Sequence, residues 1–310
     1  MEQLHAQSAN VTVVSQERWC YPDLCNPYNC KPDPECRPHG CRPSRLNEDY
    51  QLLKPATFAW LEITPSCTLK CKHCYVASMP GLGHGKMKFE DWICVLDHLH
   101  EHGCATIQFI GGEPTIHPHF CELVEYAAQL SFQIEVYSNL TGITSRMWSL
   151  FVEHDVHLAC SFYSDDATIH DEITDTQGSF DKTLANIKRA LTVGLTLRVG
   201  MINMQKGQRI TEGMALLQSL GVSNVGFDRI RGVGRGSAIA PEDPVDALCG
   251  ACANGKCAIT ATGEVYPCVF ARSFPVGNVL NQKMSDILQC SALVATREMF
   301  TKAFEARQVI

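Results

Sequence analysis

A chain of 310 residues, 45% apolar and 19% charged, has the apolar mass for one large α/β domain with appendages or for two ordinary domains, and its composition excludes wholesale disorder. Its formal charge of −7 offers no general attraction for a polyanion, so no nucleic-acid partner is expected. No window supplies the roughly 18 uncharged apolar residues of a membrane span, and Met1 to Trp19 lack the apolar core of a signal peptide, so the chain reads as cytoplasmic with no membrane partner.

The chain opens on a short repeat in which proline stands two residues after each of Cys20, Cys25, Cys30, Cys36 and Cys41. Such proline density predicts turns or extended segments rather than helix. Metal binding, a flexible interaction segment and reduced thiols in a disordered tail all stay open for it.

From residue 57 onward, short apolar runs alternate with amphipathic segments, the pattern of repeated βα units around a parallel sheet. Strands are predicted at Thr57 to Ile63, Thr106 to Ile110, Gln133 to Tyr137, His157 to Tyr163, Leu195 to Ile202 and Asn224 to Ile230. Helices are predicted at Phe89 to His102, Phe120 to Leu130, Ser145 to His154, Phe180 to Val193 and Arg209 to Leu220, with Gly103, Gly194 and Gly221 as helix stops. Six such units make either a partial barrel or an open doubly wound sheet, and periodicity does not separate the two. Both bind ligands at the carboxyl ends of their strands. The glycine-rich stretch from Arg231 and the prolines at 241 and 244 read as a linker.

Seventeen cysteines are unusual for a reducing compartment, where clustered thiols more often ligate metal than form disulfides. Besides the leader they group at 67–74 and 249–268, with Cys94, Cys104, Cys121, Cys160 and Cys290 isolated. Cys67, Cys71 and Cys74 follow the first strand directly and can wrap one corner of a cubane iron–sulfur cluster, leaving one iron open for a small chelating molecule. A zinc site is the alternative for the same thiols, but it needs a fourth ligand, and no partner pair of matching spacing stands nearby. At the end of the second strand, Gly111-Gly112-Glu113-Pro114 offers a closely approachable backbone and a carboxylate able to accept from an ammonium group.

In spacing and placement these two motifs resemble those of the radical S-adenosylmethionine (SAM) superfamily, whose C-x3-C-x2-C signature follows the first strand of a (β/α)6 partial barrel. The resemblance implies that Cys67, Cys71 and Cys74 hold a [4Fe-4S] cluster whose open iron chelates SAM. It further implies that His73 sits beside the adenine and that Gly111, Gly112 and Glu113 bind the methionine moiety. Asn139, Ser161 and Arg198 occupy positions resembling ribose and carboxylate contacts. Strand alternation then turns Cys160 toward the helices as a core thiol.

Cys252-x10-Gly263-x4-Cys268 resembles the opening half of a SPASM domain; the later cysteine set is absent, so the shortened twitch form is the better match. With Cys249 and Cys257 the segment offers four ligands to one auxiliary [4Fe-4S] cluster, or to a structural zinc. The expected organisation is a Cys/Pro-rich segment over 1–50, a TIM-like partial barrel over 51–235 and a small cysteine-rich twitch/SPASM-like extension over 236–310. The stretch from Ser161 to Asp171 is similar to SPASM-type peptide maturases. That similarity implies hydrogen abstraction from a ribosomally synthesised peptide, with a flavodoxin or ferredoxin as electron donor. A twitch-type dehydrogenase or lyase acting on a small carbohydrate or alcohol is one rival reading, and a non-catalytic zinc-binding adaptor is another.

Overall fold

The structure, a computed structural model, describes residues 56–308; the five leader cysteines lie outside the described residues. Six parallel strands, β1 (Phe58–Thr64), β2 (Thr106–Gly111), β3 (Gln133–Tyr137), β4 (His157–Phe162), β5 (Leu197–Asn203) and β6 (Asn224–Arg229), lie side by side in the order in which they occur. The crossovers carry α1 (Phe89–Glu101), α2 (Phe120–Gln129), α3 (Ser145–Glu153), α4 (Ala167–Thr174), α5 (Ser179–Thr192) and α6 (Ile210–Ser219).

Strand order decides what periodicity left open. A doubly wound sheet reverses its order partway and so places helices on both faces. Here every strand from β2 to β5 pairs only with its predecessor and successor. Right-handed crossovers in one direction put the helices on one face, which is the winding of a partial (β/α)6 barrel.

Alternation along each strand separates a helix-facing side from a barrel-facing side. Ala59, Leu61 and Ile63 of β1 are fully buried in the main apolar cluster with Trp92, Leu96 and Phe109. Cys160 is fully buried in the same cluster, the position alternation predicts. Gly103, Gly194 and Gly221 stand just past α1, α5 and α6 with φ of 76°, 79° and 97°, the left-handed conformation that ends a helix. The unpredicted α4 is capped by Asp166, whose side chain accepts from Ile169 N. Its apolar face is too short to show as a period, since only His170, Ile173 and Thr174 are buried.

The C-terminal extension continues the same sheet. After a short 3-10 turn at Gly234–Ala238, β7 (Lys256–Thr260) pairs parallel with β1, then β8 (Glu264–Tyr266) and β9 (Gly277–Asn278) add antiparallel. Helices α7 (Met284–Leu288) and α8 (Ser291–Gln308) close the described chain. The pairing sets the extension's first hairpin beside β1, whose end leads into the cysteine motif.

Candidate functional site

The loop that carries Cys67, Cys71 and Cys74 is held by backbone hydrogen bonds to distant segments. Lys70 N and Lys72 N donate to Thr174 O and Ile173 O at the end of α4, at 3.2 and 3.0 Å, and Cys67 N donates to Met79 O at 3.2 Å. N–H groups point at two of the sulfurs: Leu69 N and Asn139 Nδ2 lie 3.4 and 3.6 Å from Cys67 Sγ, and Ser78 N lies 3.3 Å from Cys74 Sγ. Burial, together with the charges of the neighbouring acidic groups, pushes the Cys67 and Cys71 thiols up to about 12. After burial, the charges of Cys74 and Cys67 are the largest causes raising the Cys71 thiol.

The second motif is built against this loop. Gly112 N donates to Thr64 O at 2.7 Å and Glu113 N to Ser66 O at 2.9 Å. A Cβ on Gly112 would collide with the Ser66 carbonyl, so only glycine lets the two backbones meet here. Glu113 is buried, and its Oε1 accepts from Thr115 N, Thr115 Oγ1 and Ser138 Oγ, while Oε2 accepts from Asn139 N at 2.7 Å. Burial raises the Glu113 carboxyl above its ordinary range even against these four donors. Oε2 keeps an acceptor lone pair.

Asn139 ties the ends of β1 and β3 together, its Nδ2 reaching Thr68 Oγ1 at 2.9 Å as well as Cys67. His73 packs edge-on against Tyr163, ring centroids 5.2 Å apart, with Nε2 3.4 Å from the Tyr163 hydroxyl. Burial, with the nearby Arg235 charge, lowers His73 to about 4, so the ring is neutral near pH 7. Ser161 shares a 2.9 Å hydrogen bond with the Tyr137 hydroxyl.

Arg198 does not join this ring of strand ends. It is the second residue of β5, in register with Ala159 and two positions deeper than Ser161, and both its Nε and Nη2 are bound by Glu135 at 2.7 and 2.8 Å. The expectation for Arg198 placed it at a strand's carboxyl end, where the register does not put it.

In the extension, Cys252 Sγ and Cys268 Sγ approach to 3.0 Å. Cys249 hydrogen-bonds to Cys252, which draws the Cys249 thiol down to about 5. Cys257 stands apart from these three. It pairs with Ala59 in the β7–β1 ladder and packs in the main core, its thiol raised first by burial and then by the charge of Cys104. Cys252 and Cys268 belong to a separate apolar cluster. The reason is alternation: Ala258 and Tyr266 face the extension, so Cys257, one residue away, faces the helices. A four-ligand set including Cys257 is therefore not what the chain assembles.

A cavity of about 380 Å³ lies between the two cysteine regions, lined by Glu62, Tyr75, Gly111, Gly234, Thr262 and Arg272 among others. Arg272 of the extension pairs with Glu62 of β1, and the Tyr75 hydroxyl donates to the same carboxylate at 3.2 Å. Sequence reasoning missed Glu62, Tyr163, Arg235 and Arg272. The signal for Arg235 was its setting between Gly234 and Gly236.

The loop fits a cluster on its own features. Of seven buried side-chain polar atoms without a partner among the described residues, His73 Nδ1, Ser78 Oγ and Arg235 Nη1 lie on or against this loop. Among the described residues no three His, Cys, Asp or Glu side chains close around a single ion position.

A one-way parallel partial barrel, with three thiols and a glycine-carboxylate segment at the carboxyl ends of its first two strands, defines a cluster-and-cofactor protein class. Residues 61–220 match the Radical SAM superfamily, and the chain belongs to it; residues 249–308 match SPASM, an iron–sulfur cluster-binding domain. The antilisterial bacteriocin subtilosin biosynthesis protein AlbA of Bacillus subtilis is 26% identical over 284 residues, 80% of this chain and 62% of AlbA. The mycofactocin maturase MftC of Mycobacterium tuberculosis is 26% identical over 281 residues, 76% of this chain and 71% of MftC. The chain thus spans about three fifths of AlbA's length. In fold it is similar to Streptococcus suis SuiB, whose structure was solved with the precursor peptide SuiA. The TM-score is 0.68 at 14% identity, covering 81% of this chain and 68% of SuiB. Among the described residues no helix is long and apolar enough to cross a membrane.

Proposed function

We propose that this chain cleaves SAM reductively and uses the resulting radical to abstract hydrogen from a ribosomally synthesised peptide, leading to oxidation, cross-linking or epimerisation. The observation that carries this reading is the meeting of the Cys67–Cys74 loop with the Gly111–Glu113 segment at one end of the barrel, through Ser66 and Asn139. A [4Fe-4S] cluster with SAM on its open iron would supply the 5′-deoxyadenosyl radical there. The peptide substrate class is supported by what AlbA, MftC and SuiB act on or were solved with.

The chain's own residues divide the work. Cys67, Cys71 and Cys74 would hold the cluster, and Leu69 N, Ser78 N and Asn139 Nδ2, which already donate to the sulfurs of Cys67 and Cys74, would steady its thiolate ligands. The free lone pair of Glu113 Oε2 would accept from the SAM ammonium, the Gly111–Gly112 backbone packed on Thr64 and Ser66 would shape the seat of the methionine moiety, and neutral His73 would lie beside the adenine. Ser161 with Tyr137 offers hydroxyls on the barrel-facing side. The cavity between loop and extension seats the substrate, where proximity to the SAM 5′-carbon makes abstraction selective. A flavodoxin or ferredoxin is the proposed electron donor.

Cys249, Cys252 and Cys268 are proposed as ligands of one auxiliary cluster, which would supply an acceptor for the second electron. Anaerobically reconstituted protein is then expected to hold about eight irons, four per cubane. Cys257→Ser should keep that content, because the thiol lies in the core, whereas Cys252→Ala should lose about half of it. Equal iron loss in both variants, read by colorimetric iron assay, would return Cys257 to the ligand set.

Deuterium placed at the target carbon of a candidate precursor peptide is expected to appear in 5′-deoxyadenosine, measured by mass spectrometry. Methyl transfer with deuterium retained in the product would rule out abstraction as the first step. Transfer from a sugar alcohol but from no peptide would keep the chemistry and replace the substrate class.

A further inference from the structure

The glycine-rich segment after β6, read from sequence as a linker, lies directly on the cysteine loop. Arg235 N donates to Cys74 O at 2.9 Å. Its guanidinium forks onto two more loop carbonyls, Nε to Cys71 O at 2.9 Å and Nη2 to Ser78 O at 2.7 Å. The backbones could not meet this closely with other residues beside it. A Cβ on Gly234 would collide with the carbonyls of Cys74 and Tyr75, and one on Gly236 would collide with Arg231 O and crowd His73 O at 3.3 Å.

The third guanidinium nitrogen, Nη1, is buried without a hydrogen-bond partner among the described residues. Among those residues no carboxylate pairs with Arg235 either. Arg235 as a whole is half-buried, and a guanidinium nitrogen sequestered with neither a hydrogen-bond partner nor a counter-charge is costly to maintain. The fork onto Cys71 O and Ser78 O, with the backbone bond to Cys74 O, sets this charge directly against the loop that carries the three thiols. A cluster held by three thiolates accepts an electron more readily beside a fixed cation, since charge and hydrogen bonding around the sulfurs set its potential.

We propose that Arg235 is a positioning residue for the cluster: its fork onto Cys71 O and Ser78 O holds the loop in ligating shape, and its unpaired charge raises the cluster's reduction potential. This rests on the reading that Cys67, Cys71 and Cys74 carry a four-iron cluster. It also makes the segment joining barrel to extension part of the redox centre, 164 residues from the loop in sequence.

The test uses full-length wild type, Arg235→Lys and Arg235→Gln, reconstituted anaerobically and titrated by potential-controlled electron paramagnetic resonance. The loop's cluster is identified as the signal that changes on adding SAM, and circular dichroism melting of the iron-free proteins checks the fold. Arg235→Gln is expected to lower the equilibrium constant for reduction about tenfold, some 59 mV for a one-electron couple, with Arg235→Lys recovering most of the shift. Folded variants that no longer hold the SAM-responsive cluster, in Gln alone or in both, also support the proposal. An unchanged potential in Arg235→Gln with iron retained overturns it, as does unfolding of both iron-free variants, which would make Arg235 a purely structural clamp. A wild type with no SAM-responsive four-iron signal would instead sink the functional reading itself.

Discussion

Replacing Cys67, Cys71 and Cys74 together by alanine is expected to reduce 5′-deoxyadenosine formation to background while iron falls from about eight to about four per chain. The loss should be complete because alanine removes all three thiols of the loop, and Cys160 is turned into the core on the far side of β4. The fold should survive, since the loop is tied down by backbone groups, Lys70 N and Lys72 N to α4 and Cys67 N to Met79 O, that alanine retains. Chromatography of the nucleoside and a colorimetric iron assay on the anaerobic protein read both quantities. Turnover persisting above background would remove the cluster from this loop, and loss of all iron would show that the two cysteine regions depend on one another.

Glu113 is expected to give the next largest effect. Alanine there leaves Thr115 N, Thr115 Oγ1, Ser138 Oγ and Asn139 N without their acceptor in a buried place, where each unsatisfied group costs about 1–3 kcal/mol. Both stability and SAM binding should fall. Glu113→Gln separates the two roles. Its carbonyl oxygen can serve the three donors at Oε1, but its amide nitrogen then faces the Asn139 N–H, donor against donor, and nothing is left to accept from an ammonium group. The glutamine variant should therefore melt closer to wild type than the alanine variant yet bind SAM at least about tenfold more weakly, a charge-assisted hydrogen bond being worth about 1.5–3 kcal/mol. Calorimetric titration with SAM measures this, and wild-type affinity in Glu113→Gln would take the carboxylate out of cofactor binding.

Much of the fold was legible because successive βα units leave a local record. The strand predicted at Thr57 to Ile63 runs Phe58–Thr64, and the helix predicted at Phe89 to His102 runs Phe89–Glu101. What could not be read was the order of the strands across the sheet, which is a matter of pairing between segments far apart in the chain. Cys257 shows the same limit within the site. Its spacing to Cys252 looks like that of a ligand pair, but its thiol direction depends on β7 being a strand whose odd positions face the helices.

By itself the sequence determined what short covalent distances enforce: three thiols within eight residues, held near one another by chain connectivity in any fold, and glycines where the backbone must turn or approach. The tertiary structure alone decided which polar groups meet. Strand face separated Cys257 from Cys249, Cys252 and Cys268, and register set Arg198 at Glu135 below the strand ends. Packing of a distant glycine-flanked turn brought the Arg235 guanidinium onto Cys71 O and Ser78 O. The physical reason is the same in each case. A side chain's direction and depth follow from backbone pairing with other segments, and the field it exerts falls on whatever the completed fold places within a few ångströms.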